Sequence, residues 1–386
     1  MKLRWVVGIT SVVILTACSL ASPAPTGTSG DVVQGTPRED VPSALDRIDN
    51  PALPDPLVDP ERIVSGGPPP DGIPPIDEPT FEATGDVDWL ADDEPVLALD
   101  VGTDSRAYPI QVMIWHEIVN DTVGGRPVSV TYCPLCNSAI AFDRQLDQRV
   151  LTFGTSGRLY LSALVMYDRQ TESLWSQIEG RAIAGHLTGS ELDQLPVQTV
   201  TWAQWRSAHP DGAVLSRDTG VTRNYGENPY VGYDAAGSDP FLFDGAADPR
   251  LPAKERVVVL GGEVDPVAVT LVRLAEARVL AVEVEGGEVV LWSAAGLRSA
   301  LDTEAIADGR VLSTTGAFDP MVDGRSLTFV PVGDAEFTDH QTGSTWTILG
   351  RATAGPLAGT QLRPVQHLDT FWFAWAAFRP GTRIVA

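Results

Sequence analysis

Apolar and polar residues alternate in short runs along most of this chain. Val96–Asp100, Val128–Tyr132, Ala139–Asp143, Val150–Phe153, Val257–Leu260, Val279–Val284 and Glu288–Leu291 are β-branched or alternating, with Gly and Asp between them. That is the period and punctuation of β-strands. Gly124-Gly125, set between Asp121-Thr122-Val123 and Arg126-Pro127, predicts a hairpin turn. Helical signals are rarer. Thr201 is a cap for Trp202–Ala208, and Asp369 or Thr370 for Phe371–Phe378, each segment ending at a proline. Ile110–Val119 reads as a helix or helical turn running into a strand. The expected fold class is α+β and strand-rich.

Self-comparison organises the rest of the chain. Asp168-Arg-Gln-Thr-Glu-Ser-Leu-Trp175 recurs as Asp339-His-Gln-Thr-Gly-Ser-Thr-Trp346, and Gly180-Arg-Ala-Ile-Ala-Gly-His-Leu-Thr-Gly189 as Gly350-Arg-Ala-Thr-Ala-Gly-Pro-Leu-Ala-Gly359. Trp202 and Trp205 recur as Trp372 and Trp375, and Pro210 as Pro380. Two copies at so long a period predict a duplicated unit rather than a solenoid. The expectation is a first module over 62–217, a connection over 218–252, and a second, degenerate module over 253–386, forming one pseudo-symmetric body. Asp168 and Asp339, Trp175 and Trp346, and Arg181 and Arg351 occur in both copies, which assigns them to the fold.

The N-terminus has a different pattern. Lys2 and Arg4 precede an apolar run from Trp5 to Leu15, and Leu15-Thr16-Ala17-Cys18 follows. The run is too short to span a ~30 Å hydrocarbon core, so residues 1–17 read as a signal peptide. A cysteine directly after small residues resembles the lipobox of bacterial lipoproteins. That resemblance implies lipidation of Cys18 and an extracytoplasmic protein whose membrane partner is reached through the anchor. Residues 18–61, rich in Pro, Ser, Thr, Gly and Asp, are expected to form a flexible tether. Gly66 to Asp77 fits either more linker or an extended strap on the body.

Composition narrows the chemistry. The chain carries 51 Asp plus Glu against 27 Lys plus Arg, a net charge of −24, so it offers no basic footprint for nucleic acid. Lys2 and Lys254 are the only lysines and no P-loop sequence occurs, which excludes Schiff-base and Walker-type chemistry. Three cysteines cannot build a disulfide-rich scaffold.

Beyond Cys18, the remaining pair sits as Cys133-Pro134-Leu135-Cys136 directly after an apolar strand. Two sulfurs at this spacing converge on one point and serve a redox dithiol, part of a metal site, or a static disulfide. The second copy has no cysteine there, so folding of the unit does not require them. Thiolates plus an imidazole suit copper or zinc, which makes Cys133, Cys136 and His116 the expected metal ligands, with the thioethers of Met113 and Met166 as further candidates. Asn120 stands where H-E-x-x-H needs its second histidine, which excludes a zincin. A thiol-disulfide oxidoreductase is the alternative, although Asn137-Ser-Ala-Ile-Ala-Phe-Asp143 reads as a strand instead of the helix that lowers a thiol pKa. A non-enzymatic binding module with a structural disulfide is the third reading. No serine-hydrolase spacing surrounds Phe153-Gly-Thr-Ser-Gly157. His186, His209, His340 and His367 carry no motif.

Taken in order, Gly72-Ile-Pro74 with Asp77, Trp115-His-Glu-Ile-Val-Asn-Asp121, Thr131-Tyr-Cys-Pro-Leu-Cys136, Ser156-Gly157, Tyr167-Asp168-Arg169 with Trp175, and Asn224-Tyr225 ahead of Tyr230 resemble the domain of unknown function 3179 family of bacteria and archaea. The resemblance covers nearly all of the chain after the linker. It implies an extracytoplasmic setting and brings no assigned activity. Asn137 stands where the family more often has glycine.

Overall fold

The computed structural model describes residues 33–386; the signal segment 1–17, Cys18 and the first part of the expected tether lie outside the described residues. Alternation becomes strand as predicted: Pro95–Val101, Arg126–Cys133, Ser138–Asp143, Arg256–Leu260 and Val279–Val284 all pair in sheets. Gly124 and Gly125 have φ of 58° and 79°, the doubly left-handed turn that matches strand twist, and they join Ile118–Val123 to Arg126–Cys133. Val150–Phe153 splits instead, with Val150 closing one short strand and Phe153 opening the strand Phe153–Tyr160.

Three larger sheets and the two-stranded pair Gln145–Leu146 with Arg149–Val150 make up the N-terminal half. One has the order Gln198–Thr201, Pro95–Val101, Asp104–Pro109, Ala213–Leu215, Phe81–Ala83; the second runs Gln194–Leu195, Ser138–Asp143, Arg126–Cys133, Ile118–Val123. The third stacks Ile63–Ser65, Phe153–Tyr160, Ala163–Asp168, Leu174–Ser176 and Arg181–Ala184. In the C-terminal half the corresponding orders are Leu368–Phe371, Arg256–Leu260, Val267–Thr270, Arg383–Val385; then Arg363–Pro364, Val311–Asp319, Gly287–Arg298, Val279–Val284; then Phe329–Val332, Glu336–Asp339, Thr345–Thr347, Ala352–Ala354. Four seven-residue helices complete the described residues: Ile110–His116, Trp202–Ala208, Leu271–Ala277 and Trp372–Phe378. The class is therefore strand-rich with few helices.

The shared aspartate motif explains itself in hydrogen bonds. Asp168 accepts from the backbone N–H of Thr171 at 2.6 Å and Ser173 at 3.2 Å and from Trp175 Nε1 at 2.9 Å, while Asp339 accepts from Thr342, Ser344 and Trp346 at 2.5, 3.1 and 3.0 Å. Each carboxylate thus satisfies a turn and orients a fully buried indole. Gly185 and Gly355 pass so close that a Cβ would lie 2.6 and 2.7 Å from the Cα of Ser173 and Ser344.

Local rules hold where tertiary demands leave them alone. Thr201 caps Trp202–Ala208 with a full capping box to Gln204. Before Trp372 the cap position is Phe371, which offers no side-chain cap, because both expected caps are spent elsewhere. Thr370 Oγ1 donates to the Cys136 carbonyl at 2.7 Å, and Asp369 lies 3.5 Å from the Arg256 guanidinium.

Two N-terminal segments settle on the body. Residues 33–61 do not hang free as a tether: Arg144 donates to Val33 O, Thr36 N to Val150 O at 2.9 Å, Glu39 pairs with Arg149, and Ala44 and Leu53 enter a core cluster with Val165 and Ile183. The few apolar residues of this stretch find buried partners that composition alone did not suggest. The strap from Gly66 to Asp77 is also ordered, with Gly66 N on Gly157 O and Ile76 bridging to the strand Ile118–Val123. The largest hydrophobic cluster runs through both halves, joining Val119, Val130 and Ile140 to Val257, Leu368 and Trp372.

Candidate functional site: a buried dithiol

Strand Arg126–Cys133 carries Cys133 to its end, and Pro134, which has no N–H to donate, stops the ladder. Cys136 N and Asn137 N then return to the carbonyls of Cys133 and Pro134, both at 3.2 Å, closing a tight turn. Asn137 has φ of 52°, a conformation that glycine and asparagine tolerate. The C-terminal half clamps the turn from outside. Phe371 N and Thr370 Oγ1 both donate to Cys136 O, at 3.1 and 2.7 Å, and Asn137 Nδ2 donates to Asp369 O at 3.1 Å. In the C-terminal half, strand Gly287–Arg298 passes Ala294-Ala295-Gly296 with a register shift between Ala295 and Leu297 but without ending.

Both cysteines are free thiols, 2% and 0% exposed. Burial alone would push the Cys133 thiol up, but the Cys136 thiol and the backbone N–H groups of Leu164, Cys136 and Leu135 outweigh it and hold Cys133 below the ordinary thiol value. Cys136 moves the other way, pushed well up by burial and then by donation to, and negative charge on, Cys133. Of the two, Cys133 is therefore the first to lose its proton. Cys136 Sγ also lies 3.7 Å from Ser162 O.

The nearest ionisable neighbour is Glu117. It caps the helix Ile110–His116 in the left-handed region, φ 60°, with its N–H on Met113 O at 2.7 Å. Arg278 occupies the matching cap of Leu271–Ala277 at φ 61°. A non-glycine residue there is uncommon, and here it turns the carboxyl inward, where it is 6% exposed. Burial and then the Cys133 charge raise Glu117 well above the carboxylate range, and the nearby Tyr230 hydroxyl only partly opposes the rise. A pocket of about 270 Å³ opens beside this carboxyl. Leu135, Leu164, Tyr230, Tyr233 and Phe241 line it with Glu117. Neither sulfur reaches the lining, but Leu135, set between the two cysteines, does.

The expected third ligand is placed otherwise. His116 donates from Nδ1 to Pro74 O at 2.7 Å, and its Nε2 meets the Tyr225 hydroxyl at 2.6 Å, so neither ring nitrogen is free for a metal. Burial lowers its pKa, consistent with a neutral ring fixing the strap. Met113 and Met166 are fully buried in the same hydrophobic cluster as the cysteines. Among the described residues no group of three or more His, Cys, Asp or Glu is placed to hold a metal ion. Sequence reasoning passed over Glu117, Tyr230 and Tyr233 as site residues. The signal for Glu117 was its place in Trp115-His-Glu117, where the second copy has Arg278.

Residues 70–382 match the family described as "Protein of unknown function (DUF3179)", and the chain belongs to that family. No curated protein and no solved structure matches it.

Proposed function

We propose that Cys133 and Cys136 form a reactive dithiol that exchanges with disulfides, carried by an exported, lipid-anchored protein built from two related modules. The observation that carries the reading is a pair of free, buried thiols brought together by one tight turn, with Cys133 held below the ordinary thiol value and Cys136 and the Glu117 carboxyl pushed above theirs. Cys133 attacks a substrate disulfide, forming a mixed disulfide, and the departing sulfur takes the Glu117 proton. The Glu117 carboxylate then accepts the Cys136 proton as Cys136 attacks Cys133 Sγ. An intramolecular disulfide forms, the second substrate thiolate leaves, and it takes a proton from solvent. The substrate is reduced by two electrons and the dithiol is oxidised by two.

A second reading rests on two sulfurs converging in apolar surroundings, which suits two-coordinate Cu(I). Zinc fits less well, since it asks for four ligands. The matching strand orders of the two halves support the duplication, and the lipobox-like Cys18 supports the anchor; a Cys18→Ser variant is expected to move from the membrane to the soluble fraction.

Thiol counting on the full chain carrying Cys18→Ser, with elemental analysis after loading with Cu(I) or Zn(II), separates the readings. Exchange predicts that both thiols disappear together on mild oxidation and return on reduction, with no stoichiometric metal. Inert thiols with one copper per chain would replace exchange by the copper reading.

A further inference from the structure

Three aromatic side chains of the connection 218–252, Tyr230, Tyr233 and Phe241, line the pocket beside the dithiol. Phe241 is also 47% exposed, and its neighbour Leu242 and nearby Val231 are 45% and 60% exposed. Leu242 sits at φ 47°, a costly conformation for a bulky residue. An apolar surface thus continues from the pocket lining out to solvent. Most polar groups of the lining are already used: Tyr233 Oη accepts from Phe241 N at 3.2 Å, Thr155 Oγ1 donates to Ile73 O at 2.7 Å, and Arg158 donates to Leu45 O at 2.9 Å. Asp239 is exposed on one side of Phe241, and Asp244, paired with Arg62 at 3.3 Å, on the other, in a chain of net charge −24.

Resting on the exchange reading above, we infer that the substrate is a polypeptide disulfide whose cysteine is flanked by a large apolar residue and by cationic residues. About 270 Å³ falls below the ~300–1,000 Å³ of pockets for drug-sized molecules and suits one apolar side chain. Small anionic disulfides such as oxidised glutathione meet one cation in the lining, Arg158, whose guanidinium already donates to Leu45 O, and they approach a chain of net charge −24. The apolar side chain fills the pocket, the exposed Val231, Phe241 and Leu242 cover the adjacent backbone, and the acidic surface attracts the flanks. Cys133 forms the new S–S bond and the peptide's other sulfur leaves as a thiol.

The test uses the full chain with Cys136→Ser, in which exchange stops at the mixed disulfide on Cys133. Three probes are compared by mass spectrometry of the adduct over time: a disulfide peptide with Phe beside its cysteine and Arg at its flanks, the same peptide with Asp for Phe and Arg, and oxidised glutathione. Burial of one aromatic side chain predicts at least about tenfold faster trapping of the first probe. That advantage falls with added salt and collapses when Val231→Asp and Leu242→Asp are introduced. Trapping of oxidised glutathione at an equal rate, or an advantage that survives the two aspartates, overturns the substrate class. Failure of all three probes to form an adduct overturns the exchange reading itself.

Discussion

Replacing Glu117 by Gln tests the electrostatics of the site without changing its shape. Gln keeps the size and the neutral charge of the protonated carboxyl, so near pH 5 the two proteins should differ by less than about 1 kcal/mol. They diverge as pH rises. The unfolded chain releases this proton near its ordinary value of about 4.3, whereas the folded chain, with the carboxyl buried beside Cys133, retains it. Wild-type stability therefore drains away above that pH, by about 1.4 kcal/mol per unit, until the raised folded value is passed. Across that window the variant should gain on wild type by up to about 1.4 kcal/mol per pH unit, seen as a Tm difference that widens as pH rises. Other titrating groups are common to both proteins and cancel in the difference. Paired thermal melts across this range measure it. A difference that stays flat would mean that Glu117 ionises normally and is no proton store for the thiols.

The rate of Cys133 alkylation should show its inflection below the ordinary thiol value, and Cys136→Ser, which replaces the donating thiol, should move that inflection; pH-resolved iodoacetamide labelling with mass spectrometry reads both. Asp168→Ala orphans three buried donors, Thr171 N, Ser173 N and Trp175 Nε1, and should cost at least about 3 kcal/mol in denaturant unfolding, with Trp175 emission shifting as its indole loses its anchor. Gly157→Ala places a Cβ 1.9 Å from Pro68 O at φ +70° and should lift the strap from the pocket, which limited proteolysis near residues 66–72 and faster Cys133 labelling would reveal.

The fold was legible where local pattern and tertiary context agree, as in the hairpin at Gly124-Gly125 and the Thr201 capping box. It was not legible where a local group had been recruited elsewhere. Thr370 looks like a helix cap, but its hydroxyl is committed to the Cys136 carbonyl, a contact between residues 234 positions apart. Residues 33–61 have the composition of a linker, and their few apolar side chains are buried only because the third sheet offers a matching surface. The cysteine pair was legible from spacing and from its absence in the second copy. His116 had the right chemistry for a ligand, yet what decides its role is the position of Pro74 and Tyr225, and no spacing encodes that. Glu117 was hidden for the same reason, since its raised pKa arises from burial and from neighbours brought together by the fold.

The reduction potential of the Cys133–Cys136 couple, measured by redox titration of the full chain carrying Cys18→Ser, tests the central claim most directly. Backbone donors that favour the Cys133 thiolate stabilise the reduced form, so the account predicts a reversible two-electron couple more oxidising than about −300 mV. A potential below that range would mark an inert structural disulfide, and failure to form any disulfide would leave two buried thiols with no exchange chemistry; either result contradicts the account.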